Sequence, residues 1–181
     1  SIKPSGTVSL LNGSTPGIHF PEDEYYIRRI RFGKDSQLIE PLREAGYRIE
    51  DDKYSPNTLC VEFPVKEPHF VKGKRDVSMW EQLEIAAQYQ HYWADNSVSI
   101  TVTFKPEEAH QIKDALEMYE TRLKAVSFLR YEETGYEQAP YEPITKEQYE
   151  EMIKGITPIQ RIETNEGGTG TKFCSNDTCE V

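Results

Sequence analysis

The chain has 181 residues, and its 31 acidic side chains outnumber 21 basic ones, which gives a formal net charge of −10. This length is enough for one domain with a hydrophobic core, and the negative balance argues against a general binder of nucleic acid or anionic membrane. No apolar run approaches the roughly 18 residues of a membrane helix, and no segment has the pattern of a signal peptide. With only three cysteines, we expect a cytoplasmic protein from a reducing compartment.

The first 55 residues show few regular patterns. Turn-forming residues precede a basic and aromatic stretch, Tyr25 to Phe32, to which the pattern assigns no element. Asp35 and Ser36 are suited to cap a short helix that would run through Ala45 and stop at Gly46.

The middle of the chain has the clearest periodicity. Alternating apolar residues predict strands at 59–65, 97–104 and 125–130. Helices are predicted between them, one from a capping box at Ser78 and Glu81 and one opening at Pro106. The expected buried stripes are Trp80, Leu83, Ala87 and Ala94 in the first helix, and Ala109, Ile112, Leu116, Tyr119 and Leu123 in the second. This order favours βαβ units and a parallel sheet.

The last 50 residues are irregular and rich in Glu, Tyr and Pro. A second capping box, Thr145 to Gln148, predicts a short helix to about Lys154. The composition of residues 163–172 is typical of a flexible linker, and it carries Cys174 and Cys179 at the end of the chain.

Two segments are candidates for chemistry. Around Gly6, the small and hydroxyl-rich run of residues 4–9 can present backbone N–H groups and hydroxyls to an anion such as phosphate, although an ordinary Ser/Thr helix cap fits as well. Cys174 and Cys179 can form and open a small disulfide loop, although an inert tail is the alternative. Zinc fits poorly because no histidine is near. Cys60 lies in a predicted strand and is interpreted as a core residue.

The remaining polar residues give weaker signals. Among four histidines none has a metal spacing, and only His19, close to the possible anion loop, merits a test. We interpret Trp80 and Trp93 as core residues. The acidic groups are read as solvated faces, with no context that predicts a raised pKa: Glu50-Asp51-Asp52, Glu107-Glu108, Glu132-Glu133 and Glu150-Glu151.

Several long motifs, in order along nearly the whole chain, resemble one enzyme family. They are residues 4–20, 26–32, 61–66, 92–99 and 138–144, and the terminal cysteine pair. Together they are similar to the monomeric, adenosylcobalamin-dependent (class II) ribonucleoside-triphosphate reductases. The resemblance implies an α/β fold, the C-terminal part of a ten-stranded barrel of parallel strands with crossover helices, plus a flexible redox tail. It divides the chain into late barrel strands (1–131), a C-terminal extension (132–162) and the tail (163–181).

The resemblance also implies roles for both ends. In the family the phosphate loop holds the substrate nucleotide, which by position gives Ser5, Gly6, Thr7, Val8 and Ser9. The tail cysteines, by position Cys174 and Cys179, would reduce an active-site disulfide and be reduced in turn by a thioredoxin-like protein.

The family's thiyl-radical cysteine and allosteric insertion are not in this sequence, which implies a partner chain that carries the N-terminal part. Cobalamin-independent relatives carry two adjacent tyrosines where this chain has Phe128 and Leu129. Their absence favours adenosylcobalamin as the radical source. Ser1 lies at a point internal to the family's chain, which indicates a split gene, an intein junction or trimming. The alternative function is a stand-alone redox-regulated α/β binding module.

Overall fold

The computed structural model describes residues 1–4, 8–131 and 137–159. Six strands are present in this part of the chain: β1 (Tyr25–Gly33), β2 (Arg48–Asp51), β3 (Thr58–Lys66), β4 (Thr101–Phe104), β5 (Ser127–Arg130) and β6 (Tyr141–Pro143). Its α-helices are α1 (Ile39–Glu44), α2 (Met79–Tyr92), α3 (Ile112–Tyr119) and α4 (Lys146–Lys154), and 3-10 helices cover Val8–Asn12, Lys74–Asp76 and Pro106–Gln111. Within the described ranges, none of the helices has the length and apolar character needed to cross a membrane.

The larger sheet has four antiparallel strands in the order β2-β3-β1-β6. One face packs on α1, where Ile39 and Leu42 are buried against Val61 of β3. The prediction that β3 belongs to a parallel βαβ sheet is therefore wrong. Its antiparallel partner β1 was missed because Arg28, Arg29 and Arg31 interrupt the apolar alternation that marks a half-buried strand.

The opposite face of this sheet is polar and carries Arg29 and Arg31 of β1, whereas Arg28 alternates onto the face that packs on α1, opposite Phe63. Arg29 is buried and lies 2.7 Å from Glu62 and 2.5 Å from Glu142. The guanidinium groups of Arg31, Arg29 and Arg28 also donate to the successive main-chain carbonyls of residues 138, 139 and 140, each at 3.1 Å. The segment before β6 is thereby fixed across the sheet through its backbone.

A parallel pair, β4 and β5, forms the second sheet. The predicted alternation holds, since Val98, Ile100 and Val102 are buried in a core shared with α2 and α3. Just before β4, Ile2 forms a single parallel bridge to Val98, on the edge that faces away from β5. The prediction of parallel strands with crossover helices is confirmed here and only here within the described chain.

Three predicted core positions are exposed. Trp93 is 77% exposed, since α2 ends at Tyr92 and the helical spacing does not extend to it. Ala109 and Leu116 are exposed, whereas Ala115 is buried. The segment begins as a 3-10 helix, which has three residues per turn, so a stripe extrapolated at 3.6 residues per turn drifts off the core.

The helix starts are partly as predicted. The hydroxyl of Thr145 accepts from the Gln148 N–H, and the side-chain oxygen of Gln148 accepts from the Thr145 N–H. These two bonds confirm that capping box. Ser78 caps α2 by accepting from the Glu81 N–H, but the Glu81 carboxylate pairs with Lys72 instead. Likewise, α1 begins at Ile39 and not at the Asp35-Ser36 cap.

Two of the acidic residues expected on solvated faces are buried. Asp52 pairs with Arg31 at 3.0 Å. Glu108 accepts from the Lys105 N–H at 2.8 Å and from the Met79 N–H at 2.9 Å, which ties the start of α2 to the 3-10 helix. Both carboxylates are compensated by hydrogen bonds, as burial of a charge requires.

The last described residues of the chain contact the end of α1. Gly46, with φ of +88°, closes α1 as predicted: its N–H donates to the Arg43 carbonyl and the Tyr47 N–H donates to the Leu42 carbonyl. Just beyond α4, the N–H of Thr157 donates to the Ala45 carbonyl at 2.8 Å. The backbone at residue 157 is therefore fixed beside the end of α1.

Candidate functional site

One flank of the candidate anion loop, at Ile2, pairs with the residues that immediately precede β4. Ile2 donates to the Ser97 carbonyl at 3.0 Å and accepts from the Ser99 N–H at 2.8 Å, so the chain enters the loop in the direction in which β4 runs. In α/β folds, ligands bind beyond the carboxyl ends of parallel strands. Ser5, Gly6 and Thr7 lie outside the described residues, while Val8 and Ser9 open the 3-10 helix that follows.

Residues 13–19 form a turn that contacts both flanks of this loop. Ser14 donates its N–H to the Ser9 carbonyl at 3.2 Å. Gly17, with φ of +60°, lies so close to the other flank that an added Cβ would sit 3.4 Å from the backbone of Lys3 and Pro4. The loop ends are therefore packed on one small turn.

His19 joins this turn to β4. Its Nδ1 lies 2.8 Å from the Pro16 carbonyl oxygen, and its Nε2 lies 3.1 Å from the Thr101 backbone nitrogen. His19 was singled out from the sequence, and the structure places it next to the loop flanks, where both ring nitrogens have partners.

A cavity of about 380 Å³ opens beside the turn. Its lining includes Ser14, Thr15, His69 and Lys72, and the Lys72 ammonium also lies 5.7 Å from the ring centre of Phe20. The rest of the lining includes the Glu67 carboxylate and apolar side chains, and Lys72 also pairs with Glu81, so the cavity has no net preference for an anion.

The three cysteines fall into two groups. Cys60 is 1% exposed in β3, which confirms its interpretation as a core residue, and burial raises the pKa of its thiol. Cys174 and Cys179 lie outside the described residues, as does the linker of residues 163–172. In the described part of the chain, no three His, Cys, Asp or Glu side chains come together in a way that could hold a metal ion.

The sequence analysis missed the polar network around Gln138. This residue has φ of +56° and is buried, and its side chain accepts from the Lys53 N–H and donates to the Asp51 carbonyl. Its backbone carbonyl is the one that Arg31 holds. The only indication in the sequence was indirect. Residues 26–32, which include Arg31, and residues 138–144, which include Gln138, both belong to the motifs that resemble the family.

A second charged cluster joins the middle of α2 to the end of α3. Hydrogen bonds from Arg122 and Tyr119 to Glu84 lower the pKa of that carboxyl to about 2. The cluster borders an open cavity of about 800 Å³ that also has Tyr92 and Trp93 in its wall. Its residues are distant in sequence from the loop flanks and belong to other elements of the fold.

Comparison with protein-family models gives no match. Curated proteins match strongly. The chain is 48% identical over 189 aligned positions to an adenosylcobalamin-dependent ribonucleoside-triphosphate reductase of Euglena gracilis, covering 99% of the chain and 26% of that protein. It is 45% identical to a probable reductase of the same name from Dictyostelium discoideum, covering 100% and 25%. The match to the Levilactobacillus brevis reductase is 46%, covering 87% and 22%.

A solved structure agrees with these relatives. The crystal structure of a B12-dependent (class II) ribonucleotide reductase superposes with a TM-score of 0.76 at 43% identity, over 87% of this chain and 22% of that one. The chain thus spans about a quarter of the length of the relatives it matches. Sequence and fold together confirm the resemblance, and the chain belongs to the family of adenosylcobalamin-dependent ribonucleoside-triphosphate reductases.

Proposed function

We propose that this chain is the C-terminal part of a ribonucleotide reductase that converts ribonucleoside triphosphates to 2'-deoxyribonucleotides by thiyl-radical chemistry. The observation that carries the proposal is the 45% identity that extends over 100% of the chain, and so over both of its candidate functional ends. Ile2, β4 and β5 would be late parallel strands of a ten-stranded barrel, completed by the N-terminal part that carries the radical cysteine. The three cysteines of the chain fit a cytoplasmic enzyme.

The first contribution is to hold the substrate's phosphates. Ser5, Gly6, Thr7, Val8 and Ser9 would bind them with backbone N–H groups and hydroxyls, and Gly6 would allow close approach. The chain carries a formal net charge of −10, so its overall field repels a nucleotide. Binding must therefore come from local donors, which is what the fixed flanks of this segment would position.

The second contribution is electron delivery. The thiols of Cys174 and Cys179 would reduce the disulfide left by each turnover and become a disulfide themselves, a transfer of two electrons and two protons. A thioredoxin-like dithiol would then reduce the tail disulfide. The substrate would lose its 2'-hydroxyl as water, so the electrons and protons balance over one cycle.

Adenosylcobalamin would supply the radical when bound by the whole enzyme. The relatives that this chain matches are about four times longer than the chain itself. We therefore assign cofactor binding mainly to the N-terminal part, and the residues of this chain act on phosphate and on disulfides.

A chimeric enzyme tests this function. The matching quarter of the Euglena gracilis reductase is replaced by this chain, and deoxyribonucleotide formation is measured with adenosylcobalamin and either thioredoxin or a small dithiol. We expect activity with both reductants. Cys174→Ser should abolish turnover with thioredoxin and spare it with the small dithiol, whereas the matched control Cys60→Ala should retain both.

Two results would contradict the proposal. A folded, cobalamin-binding chimera without product under either reductant would show that the chain does not serve as a reductase segment. Binding of another partner that follows the state of the tail disulfide, with no product, would instead favour the stand-alone redox-regulated module.

A further inference from the structure

We propose that His19 is a positioning residue for phosphate binding: its imidazole fixes the 13–19 turn to β4, and the turn holds the two flanks of the phosphate-binding segment at a set separation. The inference rests on the function proposed above, because it concerns how the same segment is kept in shape. It is carried by contacts among described residues on both sides of positions 5–7.

The bonds of His19 fix its tautomer. A backbone N–H can only donate, so the Thr101 N–H at 3.1 Å requires an unprotonated Nε2. The neutral ring then carries its proton on Nδ1, which donates to the Pro16 carbonyl oxygen at 2.8 Å. Both nitrogens are thus engaged in holding the backbone, which makes the ring a positioning group and not an acid or base for substrate.

The location of Thr101 explains why its backbone N–H needs the bond to His19. On one edge of the strand, the Ser99 N–H donates to Ile2, and the next N–H on that edge is that of Thr101, two residues on. The acceptor of this N–H is the His19 ring and not a backbone carbonyl of residues 1–4. The edge of the strand is thereby satisfied at Thr101 by a side chain of the 13–19 turn.

The turn transmits this fixation to both flanks. Gly17 packs on the backbone of Lys3 and Pro4, and Ser14 donates to Ser9 at 3.2 Å. If His19 releases β4, both contacts lose their common support. The separation of the two flanks would then vary. Bringing the donors of the segment together around one phosphate would cost free energy, and binding would weaken.

Three substitutions at this position separate the two bonds. In His19→Gln, Oε1 can take the place of Nε2 and accept from Thr101. His19→Asn is shorter and can replace only the bond to Pro16, and His19→Leu removes both. In the chimeric enzyme with a small dithiol as reductant, we expect the Asn and Leu variants to raise the KM for the nucleoside triphosphate about fivefold to tenfold, the scale of one hydrogen bond. The kcat should stay within about twofold, because no group of the reaction itself is removed.

The Gln variant should restore the KM, and the matched control His110→Leu, at an exposed position of the Pro106–Gln111 helix, should leave it unchanged. In the chain itself, hydrogen exchange of the Thr101 amide should accelerate in the Asn variant and not in the Gln variant, a readout that needs no activity. The Asn and Gln variants suffice if the Leu variant does not fold.

The outcomes distinguish this inference from the function on which it rests. An unchanged KM in His19→Asn, or an equal rise in His19→Gln and His19→Asn, would overturn the role of His19 while the enzyme remains active. If Thr7→Val and Ser9→Ala also leave the KM unchanged, the phosphate-binding segment itself is wrongly assigned.

Discussion

Replacing Gly46 by alanine tests how firmly the end of the described chain is anchored. At φ of +88°, a Cβ on residue 46 would overlap the carbonyl oxygen of Gly155 and lie 3.1 Å from its carbonyl carbon. The obstacle is backbone, so it cannot be relieved by a side-chain rotation. Residues 155–157 must move away, and the bond from Thr157 to Ala45 is lost with them.

Two costs make up the expected effect. An alanine in the left-handed region costs about 1–2 kcal/mol relative to glycine. Loss of one neutral backbone hydrogen bond adds about 1 kcal/mol. We therefore expect Gly46→Ala to lower the free energy of unfolding by about 2–3 kcal/mol.

Urea denaturation of the chain, followed by circular dichroism, measures this difference. Gly155→Ala is the matched control: residue 155 has φ of −87°, and its added Cβ would meet nothing closer than the Met152 carbonyl oxygen at 4.0 Å. That variant should be neutral or stabilised by up to about 1 kcal/mol. Equal stability of Gly46→Ala and the unsubstituted chain, or equal losses in both alanine variants, would refute the anchoring by close backbone contact.

Three further measurements test other features. Glu62→Ala should destabilise the chain by about 3 kcal/mol in the same assay, because buried Arg29 keeps only the half-exposed Glu142 as an ionic partner; no loss would contradict a buried ion pair. Arg122→Gln should raise the pKa of Glu84 from about 2 towards its ordinary 4.5, measured by NMR titration. Since the folded pKa lies below the unfolded one, this carboxylate stabilises the fold above about pH 4.5 and its contribution is lost as the pH falls towards 2, so the variant should lose less stability over that interval. Cys60 should react with a thiol reagent only on unfolding, because its thiol is buried and its pKa is raised; rapid labelling of the folded Cys174→Ser/Cys179→Ser variant would contradict its burial.

The parallel strand pair could be predicted because its information is local. Val98, Ile100 and Val102 alternate with polar residues, and a capping residue or proline marks each neighbouring helix. The antiparallel sheet could not, because its polar face depends on distant partners. Arg29 finds Glu62 at a separation of 33 residues and Ala139 at 110, and neither pairing leaves a trace in the periodicity.

Of the candidate site, the structure bears on the location of His19 next to the loop flanks, and the roles of residues 5–9, Cys174 and Cys179 stay predictions. Small, hydroxyl-bearing residues marked the segment around Gly6, and proximity alone singled out His19. What the sequence could not give was the partner of the His19 ring, since Thr101 lies 82 residues away and contributes only its backbone N–H. A main-chain donor is the same for every residue type except proline, so no pattern of side chains announces it.

The arginines of β1 recognise oxygen atoms that every amino acid possesses. Because they hold the carbonyls of residues 138–140, a substitution such as Ala139→Ser leaves those acceptors in place. Conservation is therefore expected at the three arginines, because a lysine lacks the planar guanidinium group. Among homologous chains, the side chain at position 139 should vary while the three arginines stay invariant, and Gln138 should be retained because its side chain is itself hydrogen-bonded.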